Sequence, residues 1–188
     1  MAMLGASLAD KGEVVAEPKW LDGYSGESVD ELIALSATHR VDSIVLAVEQ
    51  ALQERTAEVG LAGLGEAEMT VLAVEALERE VNNGGYHQFF LNTPEYAPVV
   101  VEALKRIECH KTAEITAKAI DLAGLRQPFT AMQVEAAIHH GTNEGLVQML
   151  SESCDGAYFG SGEPIADRLF EYIRVNRGSI KLASRNSR

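Results

Sequence analysis

The stretch "EREVNNGGYHQFFLN", residues 78–92, decides how the chain is read. It sets two Asn, two Gly, a His, a Gln and three aromatic rings side by side in a chain with only 6% aromatic residues. Asn82-Asn83-Gly84-Gly85 supplies the residue types that tolerate positive φ, so one glycine is expected to close a preceding helix in a left-handed cap. An Asn side chain can satisfy a carbonyl or amide left over at the helix end. Tyr86, Phe89 and Phe90 then fall at i, i+3 and i+4, which places all three rings on one face of a following helix, toward a core. His87 and Gln88 lie off that face, within reach of backbone at the bend.

Outward from this stretch the chain reads as helical. Before it, residues 66–81 place Met69, Leu72, Ala73, Ala76 and Leu77 on an apolar stripe and leave Glu68, Glu75, Glu78, Arg79 and Glu80 for other faces. Earlier still, Ser28 is a cap for a helix from Val29, with Asp30 and Glu31 in the first turn where carboxylates suit the helix dipole. Val41, Ile44, Val45, Val48, Ala51 and Leu52 form the stripe of a second helix, which "GLAGLGEAE" breaks. After the stretch, Thr93 as cap with Pro94 at the first helical position and Glu95 behind it announces another helix. Helical patterns follow at 111–124, 130–140, 143–153 and 163–177, separated by "GLRQP", "HHGTNEG" and "CDGAYFGSG".

No segment alternates as a strand does, so the expected class is all-α: one compact multi-helix domain over residues 28–177. Residues 1–27 are expected to form an irregular arm, with Trp20, Leu21 and Tyr24 as docking points. Residues 178–188, ending "KLASRNSR", are expected to be a frayed basic tail.

Composition narrows the functional classes. With 46% hydrophobic and 23% charged residues over 188 positions, the chain can bury a core and is no candidate for wholesale disorder. No apolar run approaches a membrane span, and the start lacks the basic residue of a signal peptide. Cys109 and Cys154 have no CxxC partner and read as reduced thiols, which points to the cytoplasm.

Net charge is −12, and its distribution is uneven. Residues 1–104 hold 18 acids against 5 bases, whereas residues 105–188 hold 10 against 11. Solubility alone gives no reason for such a split. Glu54 with Glu58, and Glu75 with Glu78, sit at spacings that bring carboxylates to about the separation of successive phosphates. Glu68 lies further back on the same side, and Glu49, Glu66 and Glu80 extend the patch if the two helices pack antiparallel. Aligned, the excess of 13 equals the charge on roughly 22 Å of duplex. Two features count against a continuous ridge: Arg79 stands four residues after Glu75, and Arg55 beside Glu54.

Catalysis has weaker support. His87, Gln88 and Asn83 could seat a hydrolase-like site, but no nucleophile or metal cage adjoins them in sequence. His139 and His140, with Glu135, could give two metal ligands, yet adjacent histidines point to different faces of a helix. The sequence names no metal and no cofactor.

"EREVNNGGYHQFF", together with "LNTPEYAPVVVEALKRI" and the later "CDGAYFGSGEPIADRLFEYIRVN", resembles the DNA-mimic protein family. The likeness spans roughly residues 66–177 and rests on E-x-N-N-G-G-[aromatic]-x-Q-F-F and a downstream D-x-x-[aromatic]. It implies an all-helical fold, often dimeric, without known catalytic activity. It also implies a partner: a helix-turn-helix DNA-binding protein that meets carboxylates in place of phosphates. Neither direct nucleic-acid binding nor membrane binding is expected. The alternative is an interaction module unrelated to DNA, with an apolar groove near Tyr86, Phe89 and Phe90.

Overall fold

The computed structural model describes residues 17–140 and 144–183. It is all-α, and no strand occurs among these residues. Ser28 caps α1 (Val29–Ala34) as its sequence suggests: its hydroxyl accepts from the Glu31 amide, and the Glu31 carboxylate accepts the Ser28 amide at 2.7 Å. The second helix, α2 (Val41–Val59), buries Ile44, Val45, Val48, Ala51 and Leu52 and ends at Gly60.

The third helix, α3 (Glu66–Asn92), is the axis of the molecule. It packs against α2, α4 (Ala97–Arg106), α6 (Ala131–His140), α7 (Glu144–Leu150) and α9 (Ile165–Asn176). Contact on so many sides changes what its sequence pattern means. A single stripe was expected, with Met69 inside and the acids outside. Instead Val71 and Val74 are as buried as Leu72 and Leu77, Met69 is half-buried, and Glu68, Glu75 and Glu80 lie inside as well. A helix wrapped by neighbours has almost no outer face to give its polar residues.

Several boundaries differ from the sequence reading. Thr93 does not cap the next helix: it terminates α3, donating from its hydroxyl to the Phe89 carbonyl at 2.9 Å. A turn through Pro94 and Tyr96 follows, and α4 begins at Ala97 with Pro98 in its first turn. The fifth helix, α5, spans His110–Leu122. The pattern at 143–153 ends as α7 at Leu150, runs into a wide turn over Ser151–Asp155, and leads into a short α8 (Gly156–Phe159) that the breakers of "CDGAYFGSG" conceal.

The described part of the arm and the residues after α9 are tied to the same place. In the arm, Tyr24 is buried and takes a Gln50 side-chain bond on its amide at 3.0 Å, while Leu21 donates to the Ser43 hydroxyl. Trp20 stays half in solvent beneath the guanidinium of Arg40. Residues 178–183 are docked rather than frayed: Ile180 and Ala183 are buried, and the Tyr24 hydroxyl donates to the Ala183 carbonyl at 2.6 Å. Residues 1–16 of the arm and 184–188 of the tail lie outside the described residues.

Candidate functional site

The kink in α3 is where the quoted stretch does its work. Gly84 and Gly85 leave helical geometry, and Gly85 has φ +76° and ψ −176°, a backbone state open essentially only to glycine. The Tyr86 amide, freed by the break, donates to the Asp155 carboxylate at 2.9 Å. That carboxylate sits so close that a Cβ on Gly85 would collide with it. Asp155 thus caps the second half of α3 from 69 residues away, and its neighbour Tyr158 meets Tyr86 edge to face with ring centroids 6.0 Å apart.

Tyr86, Phe89 and Phe90 are fully buried, as their spacing implies. The Tyr86 hydroxyl bonds with the Thr116 hydroxyl at 2.8 Å, and burial raises its ionisation well above the usual range. The three rings are closed off, so they do not themselves line a groove.

The polar residues of the stretch serve the bend. Asn82 donates to the Glu78 carbonyl at 2.6 Å; Asn83 is exposed. Gln88 reaches a carboxylate instead of backbone: it donates to Glu80 at 2.9 Å, joined by Asn92 at 2.8 Å and by Arg79 Nε at 3.1 Å. Burial by itself would raise the Glu80 carboxyl, but Asn92, Gln88 and Arg79 outweigh it and hold it below its usual range. Glu80 is therefore a strut that bridges the two halves of α3, not a phosphate-like charge on the surface.

The other acids expected to build a ridge divide sharply. Glu49 is buried and pairs with Arg79, with Gln53 donating at 2.8 Å. Glu68 is 2% exposed; it accepts from the Gly65 amide at 2.7 Å and the Lys181 amide at 2.8 Å and forms an ion pair with Arg55 Nε at 3.3 Å. It fastens the start of α3, the segment after α9 and α2 together. Glu75 is buried, and desolvation first, then Glu49 and Glu78, pushes its carboxyl up to about 8 against the opposing pull of Arg79. Burial pushes the half-buried Glu78 to about 7. Glu49, Glu68, Glu75 and Glu80 thus cannot be presented to a partner, which corrects the single ridge drawn from helical spacing.

Glu54, Glu58 and Glu66 do reach the surface. Glu58 is exposed, Glu54 is half-buried beside Gln50, and Glu66 meets Arg106 at 2.8 Å. Gln50 bonds both the Tyr24 amide and Glu54, so the arm with Asp22 runs alongside α2 at Glu54. Setting aside the four interior acids and the two arginines that serve them, residues 17–104 keep twelve acids and two bases, all exposed or half-buried. Four of these acids, Asp30, Asp42, Glu66 and Glu102, meet cations at Arg177, Arg40, Arg106 and Lys105. The outer acid is therefore a property of the arm, α1 and α2 more than of α3. Only the sign asymmetry could have pointed there, because Asp22, Glu27, Asp30 and Glu31 share no helical repeat with the α3 acids.

His87 is half-buried at the rim of a cleft of about 530 Å³ lined by Glu144, Val147, Gln148, Ser151 and Glu152. Among the described residues no hydrogen bond joins His87 to Ser151 or to either glutamate. No group of three metal-ligating side chains occurs among the described residues, and the side chains of His139 and His140 lie outside them. Both cysteines are buried free thiols, and burial pushes Cys109 up to about 12. No helix among the described residues is long and apolar enough to cross a membrane.

No curated protein matches the chain. Residues 62–176 match the family described as DMP19-like protein. That segment runs from just before α3 to the end of α9 and includes the kink, the Asp155 cap and the Tyr86–Tyr158 contact, and the chain belongs to the DMP19-like protein family.

Proposed function

We propose that the protein is a non-catalytic acidic regulator that occupies the DNA-binding face of a basic helix-turn-helix protein and keeps it from DNA. Family membership supports the class of role, since the DNA-mimic family that the chain resembles acts in this way. The observation that carries the reading for this chain is the outer charge of its first half: twelve acids against two bases after every interior carboxylate has been removed from the count. Like charges on a surface add nothing to the stability of the fold, whereas a cationic partner gains from each of them.

The contact surface in this reading consists of Glu54 and Glu58 on α2, with Asp22, Glu27 and Glu31 of the arm and α1 beside them. A homodimer would double the charge presented and allow both half-sites of a dimeric repressor, roughly 34 Å apart, to be met at once.

Because such binding replaces counterions as DNA does, it weakens steeply with salt. Capture of a basic DNA-binding protein from lysate at low salt, its release at high salt, and loss of its operator DNA on addition of this protein are the expected results. A captured partner that stays bound equally at both salt concentrations, or that still holds its operator, contradicts the proposal.

A further inference from the structure

The seam between α2 and α3 encloses more acid than base. Glu49, Glu75 and Glu80 are each no more than 7% exposed, and among them stands one guanidinium, that of Arg79. Arg79 holds Glu49 through one terminal nitrogen and Glu80 through Nε at 3.1 Å. Both of those carboxylates have further amide donors, Gln53 for the first and Gln88 with Asn92 for the second. For Glu75, no ion pair and no hydrogen bond to its carboxyl occurs among the described residues. The charges acting on it are Glu49 from α2 and Glu78 and Arg79 from its own helix, and Tyr96 at the start of α4 shares the neighbourhood of Glu49 and Arg79.

A carboxylate enclosed without donors is tolerated only in its neutral form, because the charge has neither water nor a partner to stabilise it. We propose that the α2–α3 seam is a protonation-controlled joint: Glu75 keeps its proton while the seam is closed, and loss of that proton sets it against Glu49 and loosens α2 from α3. Arg79 is held between Glu49 and Glu80 and makes no hydrogen bond to Glu75 among the described residues. The proposal stands independently of the DNA-mimic reading.

The direction with pH follows from the raised carboxyls. Glu75 at about 8 and Glu78 at about 7 both lie above the ordinary value of 4.5, so the folded protein binds protons that the unfolded chain has released. Their contribution to stability is complete below the unfolded value and is lost as pH rises through the folded ones. The burial of Glu75 makes it the larger contributor.

Thermal unfolding followed by circular dichroism, at pH 6 and pH 9 and constant ionic strength, tests the joint on the full chain. The wild type is expected to melt roughly 5–10 °C lower at pH 9. Glu75→Gln should remove more than half of that fall, and Glu58→Gln, on the outer surface, should leave it intact. A wild type that melts alike at both pH values, or a Glu75→Gln protein that falls as far as wild type, overturns the proposal. Hydrogen exchange of the wild type gives a readout that needs no variant. Protection at pH 9, corrected for intrinsic rates, should fall first in residues 44–55 and 71–81; an even fall along the chain overturns the proposal.

Discussion

Glu54 and Glu58 on α2, and Glu75 and Glu80 on α3, are the same side chain on two neighbouring helices, with opposite fates. The first pair lies near the far end of a helix that α1, α3 and α9 touch, and it faces solvent or nearly so. The second pair sits in the middle of a helix that five others touch, and it is enclosed. Spacing along a helix fixes which residues share a face; it does not say whether that face meets water. What decides this is the number of neighbours the helix acquires, a tertiary property.

The comparison can be broken at its interior end first. Gly85→Ala should have the largest effect, because it forces a side chain into a glycine-only backbone state and into the Asp155 carboxylate. A loss of about 3 kcal/mol or more in denaturant unfolding is expected. Glu80→Ala should come next, at roughly 2–3 kcal/mol, since Gln88, Asn92 and Arg79 lose their common acceptor in a buried setting. Denaturant midpoints measure both. If Glu80→Ala unfolds like wild type, the strut across the kink carries no weight.

At the exterior end the effects on stability shrink. Ser28→Ala removes the side-chain half of the α1 cap and should cost about 1 kcal/mol in the same assay. The double reversal Glu54→Lys with Glu58→Lys should change stability by less than about 0.5 kcal/mol, since neither residue is buried. A large destabilisation by this pair would mean that the outer acids, like the inner ones, serve the fold.

Much of the fold is legible in the sequence for reasons these residues make plain. The caps, stripes and breakers that define α1 and α2 are local signals, and the burial of Tyr86, Phe89 and Phe90 follows from three ring positions on one helical face. Likewise the positive φ at Gly85 follows from a run of residues that tolerate it. The partners of these groups are not legible, because each comes from far along the chain: Asp155 for the Tyr86 amide, Glu163 for the amides of Lys111 and Thr112, Lys181 for Glu68. The candidate surface suffers most from this. Four of the eight acids chosen by helical spacing turn out to be structural, and the arm acids that replace them belong to a segment whose docking onto α2 depends on Gln50 and Ser43.

The most direct test of the division between inner and outer acids is the salt dependence of partner binding. The affinity of a captured DNA-binding protein should be measured across a range of salt concentrations for wild type and for Glu54→Lys with Glu58→Lys. A steep decline with salt for wild type, and a weaker complex with a shallower slope for the double variant, is the expected result. A variant that binds as tightly as wild type, with the same slope, would contradict the claim that the outer carboxylates of the arm and α2 are what the partner reads.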